Sequence, residues 1–180
     1  MAYYPDLSRY SYWDEEYRQN TVNVGFLSSQ YDYERRKAAP ELLDALARFC
    51  TVCVGLTRGY HSCEFCPPAD REVIKKVPFG DRYITLGSAE IRVFGVNGAI
   101  YAAPTLIHHY VSEHDYAPPE EFVQAVLAGS APPDPSYLNR LRDIKLAWEW
   151  NLGLKRYRPV ALTDQGFVYT DEWAFAKDLP

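Results

Sequence analysis

Along Thr21–Leu27 the apolar residues Val22, Val24 and Phe26 alternate with Asn23 and Gly25. A period of two predicts a half-buried strand. Residues 28–38 carry no period and predict a loop or a short helix. At 39–50 the period lengthens. Leu42, Leu43, Leu46, Phe49 and Cys50 fall on one stripe of a helix, with Pro40 in its first turn. The β-branched run TVCVGL at 51–56 predicts a buried strand, and DRYITL at 81–86 and EIRVFGV at 90–96 predict two more. Asn97-Gly98 then marks a hairpin into AIYAAP, because both residues tolerate positive φ.

Helical signals dominate from there. Pro104 opens a predicted helix, PTLIHHYVSEH, and PPEEFVQAVLAG forms a second one ending at Gly129. After the linker SAPPDP, Asp134 caps a third helix over 135–150, with Leu138, Leu141, Lys145 and Trp148 along one side. The stretch 159–175 predicts a closing hairpin or a docked tail, and 1–20 an irregular, aromatic segment. Strands joined mostly by hairpins predict an α+β fold: a small mixed or antiparallel sheet with hairpins, packed by three to four helices. Residues 1–180 read as one domain, with 134–180 as a candidate subdomain.

Charge narrows the function. Nineteen basic and 24 acidic residues leave a net charge of −5. That argues against a uniform grip on phosphate backbones, so nucleic acid is not the expected partner. The basic clusters 35–37 and 155–158 read as solvated faces. No apolar run approaches the roughly 20 residues that span a bilayer. The first residues, MAYYPDLSRYSYW, lack a secretory signal's basic and apolar regions. The expected location is therefore the cytoplasm, with no membrane partner. Fifteen tyrosines and four tryptophans suit either a core or an interface.

The candidate chemistry sits in RGYHSCEFCPPAD, residues 58–70. All four cysteines together read C-x2-C-x9-C-x2-C, the pattern of a four-cysteine ribbon. Cys50 lies on the apolar helix stripe, however, and Cys53 in a strand-forming run, so both read as core. Cys63 and Cys66 follow a turn-like entry and precede Pro67-Pro68, which suits two thiolates on one metal ion. A redox pair would favour a helix starting at the motif, which the prolines oppose. The chain has four histidines, and the metal candidates among them are His61, beside the cysteines, with His109 and His114. The last two are spaced H-x4-H, within the range of sites with two cysteines and two histidines. On an ideal helix they point about 140° apart, so they meet on one ion only if the last turn loosens. Otherwise His61 joins one helix histidine. His114 also has a plain reading, as a buried, hydrogen-bonded histidine near a helix C-terminus. Zinc is the expected ion, stapling the cysteine turn to the histidine helix.

The motif G-x-H-x-C-x-F-C from Gly59, followed by Y-x-A-P-x-L-I-x-H-Y-V-x-x-H-x-Y-x-P-P-x-E-F from Tyr101, resembles an uncharacterised family of bacterial proteins with no assigned activity. The resemblance runs from Gly59 to about Val126. It implies that His61, Cys63, Cys66, His109, His114 and the Tyr116-x-Pro118-Pro119 corner belong to one unit, and it implies no reaction. Two functional readings follow. The first is a metal-stapled module that binds another protein, since the chain holds no Walker loop, G-x-S-x-G or H-E-x-x-H. The alternative is a zinc-dependent hydrolase, with His61, Cys63 and Cys66 as ligands, a water in the fourth position, and His109, His114, Glu113 or Glu64 as acid or base.

Overall fold

A computed structural model describes residues 2–12, 20–55, 57 and 59–144 in full, and the backbone of three strands beyond them. It divides into two compact units, 1–131 and 132–180.

The first unit is α+β. Its sheet has the order β1-β5-β4, from Thr21–Asn23 (β1), Ile100–Pro104 (β5) and Glu90–Phe94 (β4). β1 runs parallel to β5 and β4 antiparallel to it, so the sheet is mixed. A second, two-stranded sheet pairs Lys76–Phe79 (β2) with Arg82–Thr85 (β3). Helix Pro40–Phe49 (α1) packs against Ile107–Glu113 (α3), Glu120–Ala128 (α4) and β4. Leu46, Phe49, Ile91, Val93, Ile107 and Phe122 are all fully buried there. A four-residue helix, Pro68–Arg71 (α2), follows the cysteine turn.

Several local expectations change. The strand near Thr21 is buried on both faces: Asn23 is fully enclosed, and its amide donates to the Ser8 and Arg9 carbonyls and to the Ser8 hydroxyl. The Asn23 amide nitrogen is thus engaged by the N-terminal arm, whose backbone also lies along β1 through Leu7, Ser8 and Tyr10. The run at 51–56 makes no strand among its described residues. It touches the sheet only by a bridge between Val54 and Glu90, because the chain turns at 50–52 to leave α1. The hairpin at Asn97-Gly98 forms, but with three loop residues between Gly95 and Ala99. Only Gly98 takes positive φ, at 81°, while the Asn97 side chain accepts from the Ala99 N–H. Pro104 ends β5 instead of opening the helix, and α3 starts at Ile107.

In the second unit Asp134 caps helix Pro135–Asp143 (α5), accepting from the Ser136 N–H. That helix stops at Asp143, short of the predicted 150. Residues 145–147 lie outside the described residues, and Trp148–Asn151 forms a strand (β6). Arg156–Thr163 (β7) and Gly166–Tyr169 (β8) pair as the predicted hairpin, and β6 adds to β7.

Asp6 ties the sheet to the corner after α3. One carboxylate oxygen accepts from the Gly25 N–H at 2.8 Å and the other from the Tyr116 hydroxyl at 2.7 Å. Gly25 has φ +71°, with the Ile107 side chain 3.1 Å from where a Cβ would stand. Burial raises the Asp6 pKa, and these two donors pull it part of the way back. Asp6→Ala leaves a buried hydroxyl and a buried N–H without their acceptor. The expected loss is about 1–3 kcal/mol of unfolding free energy, read by chemical denaturation.

Candidate metal centre

The turn Cys63-Glu64-Phe65-Cys66 sits between an extended arm and α2. The His61 N–H donates to the Gly87 carbonyl at 2.8 Å, which lays the arm on the connection between β3 and β4. Gly87 is needed there: its φ is +97°, and a Cβ would lie 2.9 Å from the His61 carbonyl oxygen. At the other end, Arg71 Nε donates to the Cys66 carbonyl at 3.1 Å. Glu64, between the two cysteines, is not part of the cluster. Its carboxylate accepts from the Ser29 N–H and hydroxyl, both at 2.9 Å, and from the Ser28 hydroxyl at 3.2 Å. Those donors hold its pKa below the usual carboxylate value.

The histidines come from the end of α3. His109 is inside the helix and 8 % exposed. His114 caps the helix with φ −122°, and Asp115 takes φ +54°. The backbone leaves the helix between the two imidazoles, so their Nε2 atoms stand 3.2 Å apart. The loosened last turn that the H-x4-H spacing requires is therefore present.

Four side chains converge. Cys63 Sγ lies 3.2 Å from His114 Nε2, and Cys66 Sγ lies 3.3 Å from His109 Nε2 and 3.5 Å from His114 Nε2. All four atoms fall within 4.8 Å of one another, the span of a single coordination shell, and together they could hold one metal ion. Both cysteines are buried. Phe65 flanks the cluster, its ring 5.7 Å from that of His114 at a tilt of 51° and edge-on to Tyr110 at the same distance.

The surroundings set the protonation states. Burial, reinforced by His114, Lys75 and His108, pushes the His109 pKa down to about 4. Burial also lowers His114. Both imidazoles are thus neutral at pH 7, the form that donates a lone pair. Burial pushes the Cys63 thiol up to about 11, against the pull of the Phe65 and Cys66 backbone N–H groups.

Other candidates lie elsewhere. His61 is half-buried and outside the four-residue cluster. Cys50 and Cys53 are outside it too: Cys50 is 1 % exposed with its Sγ 3.7 Å from the Thr105 carbonyl, and the Cys53 thiol donates back to the Cys50 carbonyl. Burial raises both thiols, Cys53 to about 11. Glu113 is exposed at the end of α3, and Glu64 is engaged with the serines. Sequence reasoning missed the strap at 33–36. Tyr33 and Arg35 both donate to the His114 carbonyl, at 3.2 and 3.3 Å, and the Arg36 N–H donates to Asp115. Ala117 returns a bond to Glu34. In the sequence this strap read only as part of a loop or short helix with a solvated basic cluster.

Fold and cluster together define an α+β domain with a Cys2His2 set in which all but the half-buried His114 are buried. Residues 2–127 match the domain of unknown function DUF7919, and the chain belongs to that family. The match takes in all four cluster residues. No curated protein and no solved structure matches the chain.

The grip of the serines on Glu64 orients the whole cysteine turn. Glu64→Ala removes the acceptor of three hydrogen bonds and is expected to cost about 0.5–1.5 kcal/mol of unfolding free energy, read by chemical denaturation.

Proposed function

We propose that this protein is a small cytoplasmic zinc domain in which Cys63, Cys66, His109 and His114 hold one structural ion, and that it works by binding another protein. The observation that carries the reading is the spacing of the four ligand atoms. A tetrahedral zinc ion with bonds of about 2.3 Å to sulfur and about 2.0–2.1 Å to nitrogen sets nitrogen–nitrogen separations of about 3.3 Å and nitrogen–sulfur separations of about 3.5 Å. The nitrogen–nitrogen separation here is 3.2 Å, three of the four nitrogen–sulfur separations run from 3.2 to 3.5 Å, and all four atoms lie within 4.8 Å of one another. Two thiolates also make the set soft, which suits zinc over magnesium or calcium.

The ligand count favours a structural ion over a hydrolase. A catalytic zinc has three protein ligands and an open position for water. Here four converge under Phe65, and neither Glu113 nor Glu64 is in the cluster as a base. Zinc would join the turn at 63–66 to the end of α3, and binding energy at such a site is folding energy. Among the described residues no helix is long and apolar enough to cross a membrane, which fits a location away from it. The binding role rests on exposed aromatic surface: Tyr31, Tyr60 and Tyr83 are each more than half exposed. The N-terminal tyrosines support it less, since Tyr10 is fully buried against Glu90, Tyr3 stacks on Tyr31, and Trp13 and Tyr17 lie outside the described residues.

Elemental mass spectrometry of untagged protein should find one zinc per chain, absent from Cys66→Ala and His109→Ala, with both variants melting well below wild type. Metal-free wild type with an unchanged melt defeats the reading. A neutral Cys63 thiol must also lose its proton when the ion binds. Zinc added to reduced, metal-free protein at pH 7 should therefore release at least one proton per ion, seen with a pH indicator in weak buffer. The apparent affinity should fall as pH is lowered, because protons and zinc compete for the same atoms.

A further inference from the structure

The β2–β3 hairpin presents two backbone edges, and its sequence treats them differently. The register pairs Val77 with Ile84, Pro78 with Tyr83 and Phe79 with Arg82, and the ladder continues where the Leu86 N–H donates to the Lys75 carbonyl at 2.9 Å. Bonded pairs alternate along an antiparallel ladder. With Lys75 and Leu86 bonded, Val77–Ile84 and Phe79–Arg82 are bonded too. The backbone groups of Lys76 and Pro78 then point out of β2, and those of Tyr83 and Thr85 point out of β3. Pro78 has no N–H to offer, so it blocks the β2 edge against a further strand. Nothing comparable blocks β3, and among the described residues no backbone group bonds to the outer side of Tyr83 or Thr85.

The faces differ as well. Val77 and Leu86 are buried at 4 % and 1 % exposure. On the opposite face Tyr83 is 72 % exposed, beside Pro78, and Ile74, just before β2, is 46 % exposed. Apolar surface thus lies next to the unblocked edge.

We propose that β3 pairs antiparallel with β3 of a second copy of this chain, joining two hairpins into one continuous four-stranded sheet about a two-fold axis at Ile84. The sequence of the strand is self-complementary in that register. Tyr83 of each copy faces Thr85 of the other, and the outward N–H and C=O groups of both residues are satisfied. An aromatic residue against a β-branched one is a favourable cross-strand pair. Ile84 meets Ile84 on the axis, and Arg82 faces Leu86, so no like charges oppose one another. A two-fold contact of this kind closes on itself and stops at a dimer. The proposed contact uses none of the four cluster residues and stands whether or not the ion is zinc.

Sedimentation equilibrium of the full, metal-loaded chain between about 10 and about 500 µM tests it. A mass rising from 20.7 kDa toward twice that value is expected. Thr85→Pro removes an outward N–H that no intramolecular bond uses, and Tyr83→Lys puts like charges near the axis. Each should raise the dimer dissociation constant by at least about tenfold while leaving metal content unchanged. If Thr85→Pro does not fold, Tyr83→Lys decides alone. A monomer at every concentration overturns the proposal, and so does a dimer that Tyr83→Lys leaves as tight as wild type.

Discussion

Imidazoles five residues apart on an unbroken helix point about 140° away from each other. α3 escapes that constraint by ending between them. His109 keeps helical geometry, His114 does not, and Asp115 turns the chain in the left-handed region that aspartate tolerates better than most residues. The whole cluster hangs on this exit. Had the helix run one turn further, His114 would have turned away from His109 and from both sulfurs.

The exit is held from three directions. The Tyr110 carbonyl accepts from the N–H groups of both His114 and Tyr116, which draws the leaving chain back over the helix end. The strap at 33–36 brackets the same corner with side-chain and backbone bonds. Tyr116 then reaches Asp6, which also holds Gly25 after β1. A chain of hydrogen bonds thus runs from the sheet to the corner, and Gly25, Tyr110 and Tyr116 in it are buried, where an unsatisfied group is expensive. Opposite, the cysteine turn is fixed by Gly87 beneath His61 and by the serines around Glu64. The two halves of the cluster are each positioned before any ion is considered, the arrangement that lets a metal close a fold instead of building it from nothing.

Much of this was legible in the sequence. Helical periodicity placed α1 and α4, because their apolar stripes are wide and their ends carry proline or glycine. The hairpin between β4 and β5 followed from Asn97-Gly98, although the loop takes three residues. Cys63, Cys66, His109 and His114 were picked out, together with His61, by residue type and spacing, since few side chains bind metal and their gaps are characteristic. Their need for a loosened helix end followed from helix geometry alone. The weaker local signals went astray where tertiary packing outweighed propensity. TVCVGL has the composition of a strand, yet its described part has one bridge to the sheet. The helix predicted to Trp150 gives way to strand β6, whose ladder to β7 no local period announces.

Burial of charge and long-range partnership belonged to the folded chain. Glu90 and Arg92 read as ordinary residues of a strand, yet Arg92 is fully enclosed, 2.7 Å from Glu90, with the Tyr10 hydroxyl on the same carboxylate and the Tyr10 ring under the guanidinium. Eighty residues separate Tyr10 from Glu90, and nothing in a local pattern encodes such a distance. The same holds for Tyr33, Arg35 and Glu64, whose roles depend on which segments pass nearby. What the sequence determined by itself is what spacing and residue chemistry fix: the α+β class, helices at the places of α1, α3, α4 and α5, and five candidate ligands, Cys63, Cys66, His61, His109 and His114. What tertiary structure decided is which of the candidate histidines meet the sulfurs, and which polar groups hold them there. Those outcomes depend on contacts between segments far apart in the chain, and local periodicity carries no term for them.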